Sequence, residues 1–184
     1  KLIPYKIISK INQLFVGKIK QISLNKVKGD DLMVHSKIIE ELKIKKSGFI
    51  LSGLNLAFIG FIDKIEPNRN FKLWPDGLFS KLFTKKVNKF AGRKILNNLE
   101  DWCEKEVVLV GNLNKSSKSF FEKKKIKILK YLKLPVGSIE LIKKKIKTTS
   151  FKKIKKYTAV IITLPTPKQE QVAKEIYNQN PKLR

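Results

Sequence analysis

The clearest pattern of apolar and polar positions lies near the end of the chain, in the stretch TAVIITLPTPKQEQVAKEIY from Thr158 to Tyr177. Its apolar part, residues 159–164, is short, rich in isoleucine and free of charge, which predicts a strand covered on both faces, as in a parallel sheet. Two prolines and a Lys-Gln-Glu cluster follow, and then a helical pattern begins. Because open α/β sheets bind ligands beyond the carboxyl ends of their strands, this polar cluster is a candidate binding site.

The same patterns predict strands and helices along the rest of the chain. Strands are expected in SGFILSG, NFKLWPDG and EVVLVGN. Helices are expected in DDLMVHSKIIEELKIKK, NLAFIGFIDKI, LFSKLF, residues 93–105, SSKSFFEKKKIKILKYL and residues 138–147. Alternating strands and helices favour right-handed βαβ units, so the expected fold class is α/β, with a Rossmann-like parallel sheet flanked by helices. The expected organisation is a single domain over residues 1–184.

Charge is the strongest compositional signal, with 41 Lys and Arg against 15 Asp and Glu and a net charge of +26. A field of this size attracts nucleic acid, acidic lipid head groups and phosphorylated small molecules. Arginine, which base-reading sites favour, occurs only at Arg69, Arg93 and Arg184, and the lysines are spread almost evenly. Most lysines are therefore interpreted as a solvated surface. A lysine-rich nucleic-acid-binding α/β domain remains the less favoured alternative, and contact with an anionic membrane surface stays open.

Several classes of chemistry are excluded or nearly so by composition. Cys103 and His35 are the only residues of their types, which leaves no pair for a disulfide, a Cys/His zinc site or a two-histidine catalytic centre. The longest apolar stretch, FILSGLNLAFIGFI, contains polar residues and is too short to span a bilayer. With no visible signal-peptide pattern, the expected location is cytoplasmic.

Polar residues follow three of the expected strands, and they are the candidates for chemistry. Asn55 follows the first strand, Asp76 and Gly77 follow the second, and residues 168–170 follow the last. A carboxylate on a rigid turn such as Asp76 suits general-base catalysis or binding of a sugar hydroxyl, although an Asp-Gly turn needs no function to explain it. Gly111, at the end of a strand and before a helix, is a candidate for admitting a phosphate to helix N-terminal amides.

Taken in order, FKLWPDGLFSKLF, NKFAGRKIL, EVVLVGN and AVIITLPTPKQEQVAKEI resemble the pattern of the bacterial WecG/TagA/CpsF glycosyltransferases. The resemblance implies transfer of N-acetylmannosamine or a related sugar from a UDP-sugar to a lipid-linked, undecaprenyl-diphosphate acceptor. It places the protein peripherally on the inner face of the cell membrane, in polysaccharide synthesis. The implied reaction is inverting and uses no cofactor, and metal independence fits the lack of an Asp-x-Asp motif. Formation of a homo-oligomer is left open.

The resemblance also implies roles for individual residues. Asp76 resembles the catalytic base, and Gln169 resembles the active-site glutamine of the family's P-K-Q-E loop. The implied substrate-binding residues are Asn55, Gly77, Gly111, Lys168 and Glu170. The family's acidic residue after its V-A-G segment is replaced here by Gly92-Arg93-Lys94, and the chain ends soon after the P-K-Q-E helix. A chain lacking the family's C-terminal part is therefore expected, and a catalytically inactive relative is a further alternative.

Overall fold

The computed structural model describes residues 35–44, 48–76, 92–103 and 105–184. Its helices are α1 (His35–Lys43), α2 (Leu56–Gly60), α3 (Ile62–Ile65), α4 (Gly92–Asn97), a 3₁₀ turn (Leu99–Asp101), α5 (Lys115–Lys123), α6 (Ile139–Thr148) and α7 (Lys168–Gln179). Its strands are β1 (Ile50–Leu54), β2 (Phe71–Pro75), β3 (Glu106–Gly111), β4 (Lys127–Leu132) and β5 (Ala159–Thr163).

All strand pairs in the described residues are parallel. β1 pairs with β2, and β3 lies between β4 and β5 in a second sheet. Helices follow the strands and cover the sheets, so the predicted α/β, Rossmann-like architecture is confirmed.

The central strand of the larger sheet is β3, and its residues 107–110 are fully buried. Alternate side chains of β3 point to opposite faces. Val108 and Val110 pack in a cluster with α6 and α7, whereas Val107 and Leu109 pack in a cluster with α5. A continuous apolar run is what a central parallel strand requires, since both of its faces are covered.

Helix α7 packs against both sheets. Val172 and Ile176 belong to the apolar cluster of the larger sheet, while Ala173 and Tyr177 pack against the cluster of β1 and β2. The spacing of these residues places two apolar stripes on neighbouring sides of one helix. Helix α7 therefore joins the two sheets.

The helix predicted over SSKSFFEKKKIKILKYL is confirmed in its first half and wrong in its second. The helix ends at Lys123, Lys125 adopts a positive φ of 54°, and residues 127–132 form β4. Its N-cap is Asn114, whose side chain accepts a hydrogen bond from the amide of Ser117. The runs of lysine suggested a helix. The apolar residues of the second half instead belong to β4, the edge strand of the larger sheet.

Two other predicted helices are shorter than expected. NLAFIGFIDKI forms two short helices that break at Phe61, and the helix predicted over residues 93–105 ends at Asn97 before a 3₁₀ turn. The start of the first predicted helix, LFSKLF and Gly77 lie outside the described residues. Across the described ranges, no helix is both long enough and apolar enough to cross a membrane.

Candidate functional site

The carboxyl ends of β1 and β2 lie side by side. The amide of Asp76 donates a 3.2 Å hydrogen bond to the carbonyl oxygen of Leu54, which extends the ladder one residue beyond β2. Asp76 is half-buried there. A methyl group at Gly53 would lie 3.0 Å from Oδ2 of Asp76, so this carboxylate lies directly beside the backbone of β1.

The first turn of α7 contains the most buried charged side chain of the described residues, Glu170, which is 1% exposed. Its Oε1 accepts hydrogen bonds from Oγ of Ser52 at 2.9 Å, Oγ1 of Thr166 at 3.2 Å and Nε2 of Gln169 at 2.6 Å. The N-terminal end of the helix dipole also favours a negative charge at this position. Three hydrogen-bond donors and the helix dipole together offset the free-energy cost of burying this carboxylate.

These two arrangements meet at consecutive residues of β1. Ser52 contacts Glu170, and Gly53 lies beside Asp76. A side chain larger than hydrogen at residue 53 would crowd both Asp76 and the Trp74 ring, which lies 3.2 Å from the Cβ position. Glycine at residue 53 therefore leaves room for Asp76 and Trp74 against β1, on the face opposite to the Ser52–Glu170 hydrogen bond.

A cavity of about 280 Å³ lies between the two sheets, and we call it the inter-sheet cavity. Its sides are residues 50–53 of β1 and 159–162 of β5, and α7 contributes Gln169 and Glu170 at one end. Asp76 is not part of this lining, but it lies beside the lining residue Gly53. The cavity is therefore mainly apolar, with polar groups concentrated near Ser52.

The residues that line this cavity include Trp74 and Glu170, and each has one buried polar atom without a hydrogen-bond partner among the described residues. One is the donor Nε1 of Trp74, and the other is the acceptor Oε2 of Glu170. Buried polar groups are usually hydrogen-bonded, because leaving one unpaired costs about 1–3 kcal/mol.

Four other residues predicted for substrate binding are placed as follows. Oδ1 of Asn55 accepts a 3.0 Å hydrogen bond from the amide of Phe58, so Asn55 caps α2. Nζ of Lys168 donates a 2.7 Å hydrogen bond to the carbonyl of Gly137. Gly111 has a φ of 131° and lies against Thr163 of β5, and Gly77 lies outside the described residues. The structure thus gives Asn55, Lys168 and Gly111 contacts within the fold.

The described residues contain no group of three or more His, Cys, Asp and Glu side chains that could hold a metal ion.

Sequence reasoning passed over two residues near the site. These residues are Trp74, which lines the inter-sheet cavity, and Thr166, which donates a hydrogen bond to Glu170. Trp74 lies on the face of β2 opposite to Phe71 and Leu73 because side chains alternate along a strand. An aromatic residue on that second face, two residues before a candidate carboxylate, is the signal that could have identified it.

Comparison of the chain with protein-family models, with curated proteins and with solved structures found no match.

Proposed function

We propose that this protein is a glycosyltransferase that moves N-acetylmannosamine or a similar sugar from a UDP-sugar to a lipid-linked, undecaprenyl-diphosphate acceptor. The sequence resemblance supplies the reaction class. The hydrogen bond between Ser52 and Glu170 is the observation that links this reaction class to particular residues. It brings the first turn of α7, with Gln169, to the strand segment beside which Asp76 lies.

Asp76 is the proposed general base. Its carboxylate takes the proton of the acceptor hydroxyl as that oxygen forms a bond to the anomeric carbon of the donor sugar. The bond from the anomeric carbon to the diphosphate oxygen breaks, and its electron pair leaves with UDP. Because the nucleophile attacks opposite the leaving group, the anomeric configuration inverts.

Gln169 is the proposed sugar-positioning residue. Its Nε2 donates hydrogen bonds to Glu170 and, at 3.0 Å, to Oγ1 of Thr166. Since an ionised carboxylate only accepts hydrogen bonds, this arrangement fixes which end of the amide faces Glu170. The carbonyl oxygen of Gln169 is then the end that can accept a hydrogen bond from a sugar hydroxyl.

The decisive test is Asp76→Asn, because an amide of nearly the same shape cannot accept the proton. Transfer of radiolabelled sugar to a lipid-diphosphate acceptor should fall about 10²–10⁴-fold. UDP-sugar binding, measured by calorimetry, and the melting temperature should stay near those of the wild type. The matched control is Asp101→Asn, an exposed aspartate of the 3₁₀ turn, which should leave transfer unchanged. Transfer by Asp76→Asn close to that of the control would refute the catalytic role.

A peripheral position on an anionic membrane is part of the same proposal, and the net charge of +26 supports it. Lysines near an anionic bilayer contribute about 1 kcal/mol each to attraction, and salt screens that attraction. Co-sedimentation with phosphatidylglycerol vesicles should therefore be strong at low salt and weak at high salt. Equal co-sedimentation with neutral phosphatidylcholine vesicles would argue against it.

A further inference from the structure

The loop between β4 and α6 carries the most exposed large apolar side chain of the described residues. Val136 is 93% exposed, and Leu141, in the first turn of α6, is 54% exposed. Leu141 reaches back to the loop, because a Cβ atom at Gly137, the residue after Val136, would lie 3.2 Å from its Cδ1. The two exposed side chains therefore belong to one small apolar projection.

Hydrogen bonds hold this loop in position. Oγ of Ser138 accepts a 3.4 Å hydrogen bond from the amide of Leu141 and so caps α6. Nζ of Lys168 donates a 2.7 Å hydrogen bond to the carbonyl of Gly137. Val136 directly precedes these bonded residues, so its exposure follows from the backbone conformation of the loop.

Lysines surround the apolar projection. Lys133 is exposed in the same loop, and Lys144 and Lys145 are exposed on α6, three and four residues after Leu141. Side chains at these spacings are neighbours on the surface of a helix. Both ammonium groups therefore lie on the side of α6 that carries Leu141.

The acidic residue in this stretch does not cancel the positive charge. Glu140 is the single acidic residue of positions 133–147, and the charges of Lys143 and Lys168 both act on it. The net charge of the stretch therefore stays positive. We call this part of the protein the α6 surface, and it consists of Lys133, Val136, Leu141, Lys144 and Lys145.

The α6 surface begins at the same edge of the larger sheet as α7. Both β4 and β5 are parallel to β3, so their carboxyl ends lie at one edge. The loop with Val136 leaves the end of β4, and α7 follows the end of β5. Lys168, which bonds to this loop, is the first residue of α7 and precedes Gln169. A partner on the α6 surface would thus lie near the proposed sugar-positioning residue.

An anionic bilayer fits this surface better than a protein or a nucleic acid does. Apolar side chains enter the boundary between head groups and acyl chains, while lysines beside them attract anionic lipids. Two exposed apolar side chains offer less apolar area than the core of a stable protein interface requires. Surfaces that bind single-stranded nucleic acid add aromatic residues that stack on bases, and positions 133–147 contain no aromatic residue and no arginine.

We propose that the α6 surface is the part of the protein that docks on an anionic bilayer. Its two apolar side chains enter the head-group region, and its three lysines lie against lipid phosphates. The inference rests on the membrane location in the proposed function, and it adds the contact surface and an orientation. In that orientation the carboxyl edge of the larger sheet, with the start of α7, faces the bilayer.

Insertion is tested by the fluorescence of Val136→Trp mixed with phosphatidylglycerol vesicles. Its emission should shift to shorter wavelength, because the new indole leaves water for the head-group region. The matched control is Phe61→Trp, which places the same reporter at an exposed apolar position between α2 and α3. The control should show no shift, and the native Trp74 and Trp102 contribute equally to both variants.

The apolar contribution is tested by vesicle affinity, measured by co-sedimentation. Val136→Ser combined with Leu141→Ser leaves the net charge unchanged and should weaken binding about tenfold or more. Ile44→Ser combined with Phe61→Ser is the control, since it removes two other exposed apolar side chains. The control pair should bind vesicles as the wild type does.

The role of the lysines is tested by Lys144→Gln combined with Lys145→Gln. The control is Lys152→Gln combined with Lys153→Gln, which removes the same charge from exposed positions before β5, at the opposite edge of the sheet. Because only the first pair lies against lipid in the proposed orientation, it should weaken vesicle binding about tenfold more than the control pair.

Unshifted emission of Val136→Trp, or equal vesicle affinity of the serine pair and its control, would overturn the proposal. Equal weakening by the two glutamine pairs would also overturn it, because net charge alone would then explain the attraction. Loss of oligonucleotide binding by Lys144→Gln combined with Lys145→Gln, with vesicle affinity unchanged, would assign the surface to nucleic acid instead. Sugar transfer to a detergent-solubilised acceptor needs no bilayer, so a failure of these tests is distinct from a failure of the proposed function.

Discussion

Oγ of Ser52 donates a 2.9 Å hydrogen bond to Oε1 of Glu170 inside the protein, across 118 positions of sequence. One of these residues lies in the middle of β1 and the other in the first turn of α7. The bond therefore fixes the position of α7, and with it Gln169, relative to the smaller sheet.

Replacing Ser52 by alanine should lower the free energy of unfolding by about 1–3 kcal/mol, because a buried carboxylate oxygen loses one of its three donors. Urea denaturation measures this loss. Ser119→Ala is the control, since the Ser119 hydroxyl bonds to the carbonyl of Ser116 at the surface, and it should change stability by less than about 0.5 kcal/mol. Equal losses in the two variants would mean that the Ser52–Glu170 bond between β1 and α7 does not stabilise the protein.

Replacing Gly111 by alanine should be more costly. Its φ of 131° is a backbone conformation that L side chains rarely adopt, and a methyl group there would collide with Thr163. Strain and overpacking together predict a loss of about 2–4 kcal/mol in chemical denaturation. Gly60→Ala provides the comparison, because no atom lies within 4 Å of the added methyl group. Helix propensity predicts that this control is stabilised by up to about 1 kcal/mol. A Gly111 variant as stable as the wild type would show that β3 and β5 can separate at this end without loss.

The acid dependence of stability should include a contribution from Glu140. A hydrogen bond from its own backbone amide and one from the Ser138 hydroxyl, at the start of α6, hold the pKa of this carboxyl below its ordinary value. A lowered pKa in the folded state stabilises the protein above the ordinary pKa of about 4.3, and this contribution disappears as pH falls through the folded-state pKa.

Glu140→Gln should therefore be less stable than the wild type at neutral pH, and the difference should shrink toward pH 3, as measured by denaturation across that range. The control is Ser119→Ala, which removes no carboxyl group, so its difference in stability from the wild type should not vary with pH. A difference that stays constant from neutral to acid pH would exclude the carboxylate as its cause.

UDP should bind equally well with and without a chelator. The sequence has no Asp-x-Asp motif, and lysines are abundant, so the proposed counter-charge for the diphosphate is cationic side chains. Calorimetry in excess EDTA should give the same dissociation constant as calorimetry in added manganese. Raising the salt concentration should weaken binding in both conditions, because it screens the lysines. Binding that appears only with manganese would contradict the prediction.

The predictable parts of this fold are those determined by local sequence. The apolar runs of β3 and β5 and the helix α6 were expected near their observed positions because each depends on neighbouring residues. The sequence did not predict β4, because its lysines resemble those of a helix. Its strand conformation depends on pairing with β3, which the local sequence does not show. The same limit applies to the site. The strand ends were expected at one edge, but the Ser52–Glu170 bond and the pairing of Arg184 with β5 depend on residues far apart in sequence.

Helix α7 is shared by the two sheets, since adjacent positions such as Val172 and Ala173 pack against different ones. Nζ of Lys174 also donates a 3.1 Å hydrogen bond to the carbonyl of Ile65, at the end of α3. Any widening or narrowing of the space between the sheets must therefore slide one of them along this helix. Packed helices accommodate such shear only in small steps, because interdigitated side chains resist continuous sliding. A substitution on α7 would thus change the shape of the inter-sheet cavity and the rigidity of both sheets together.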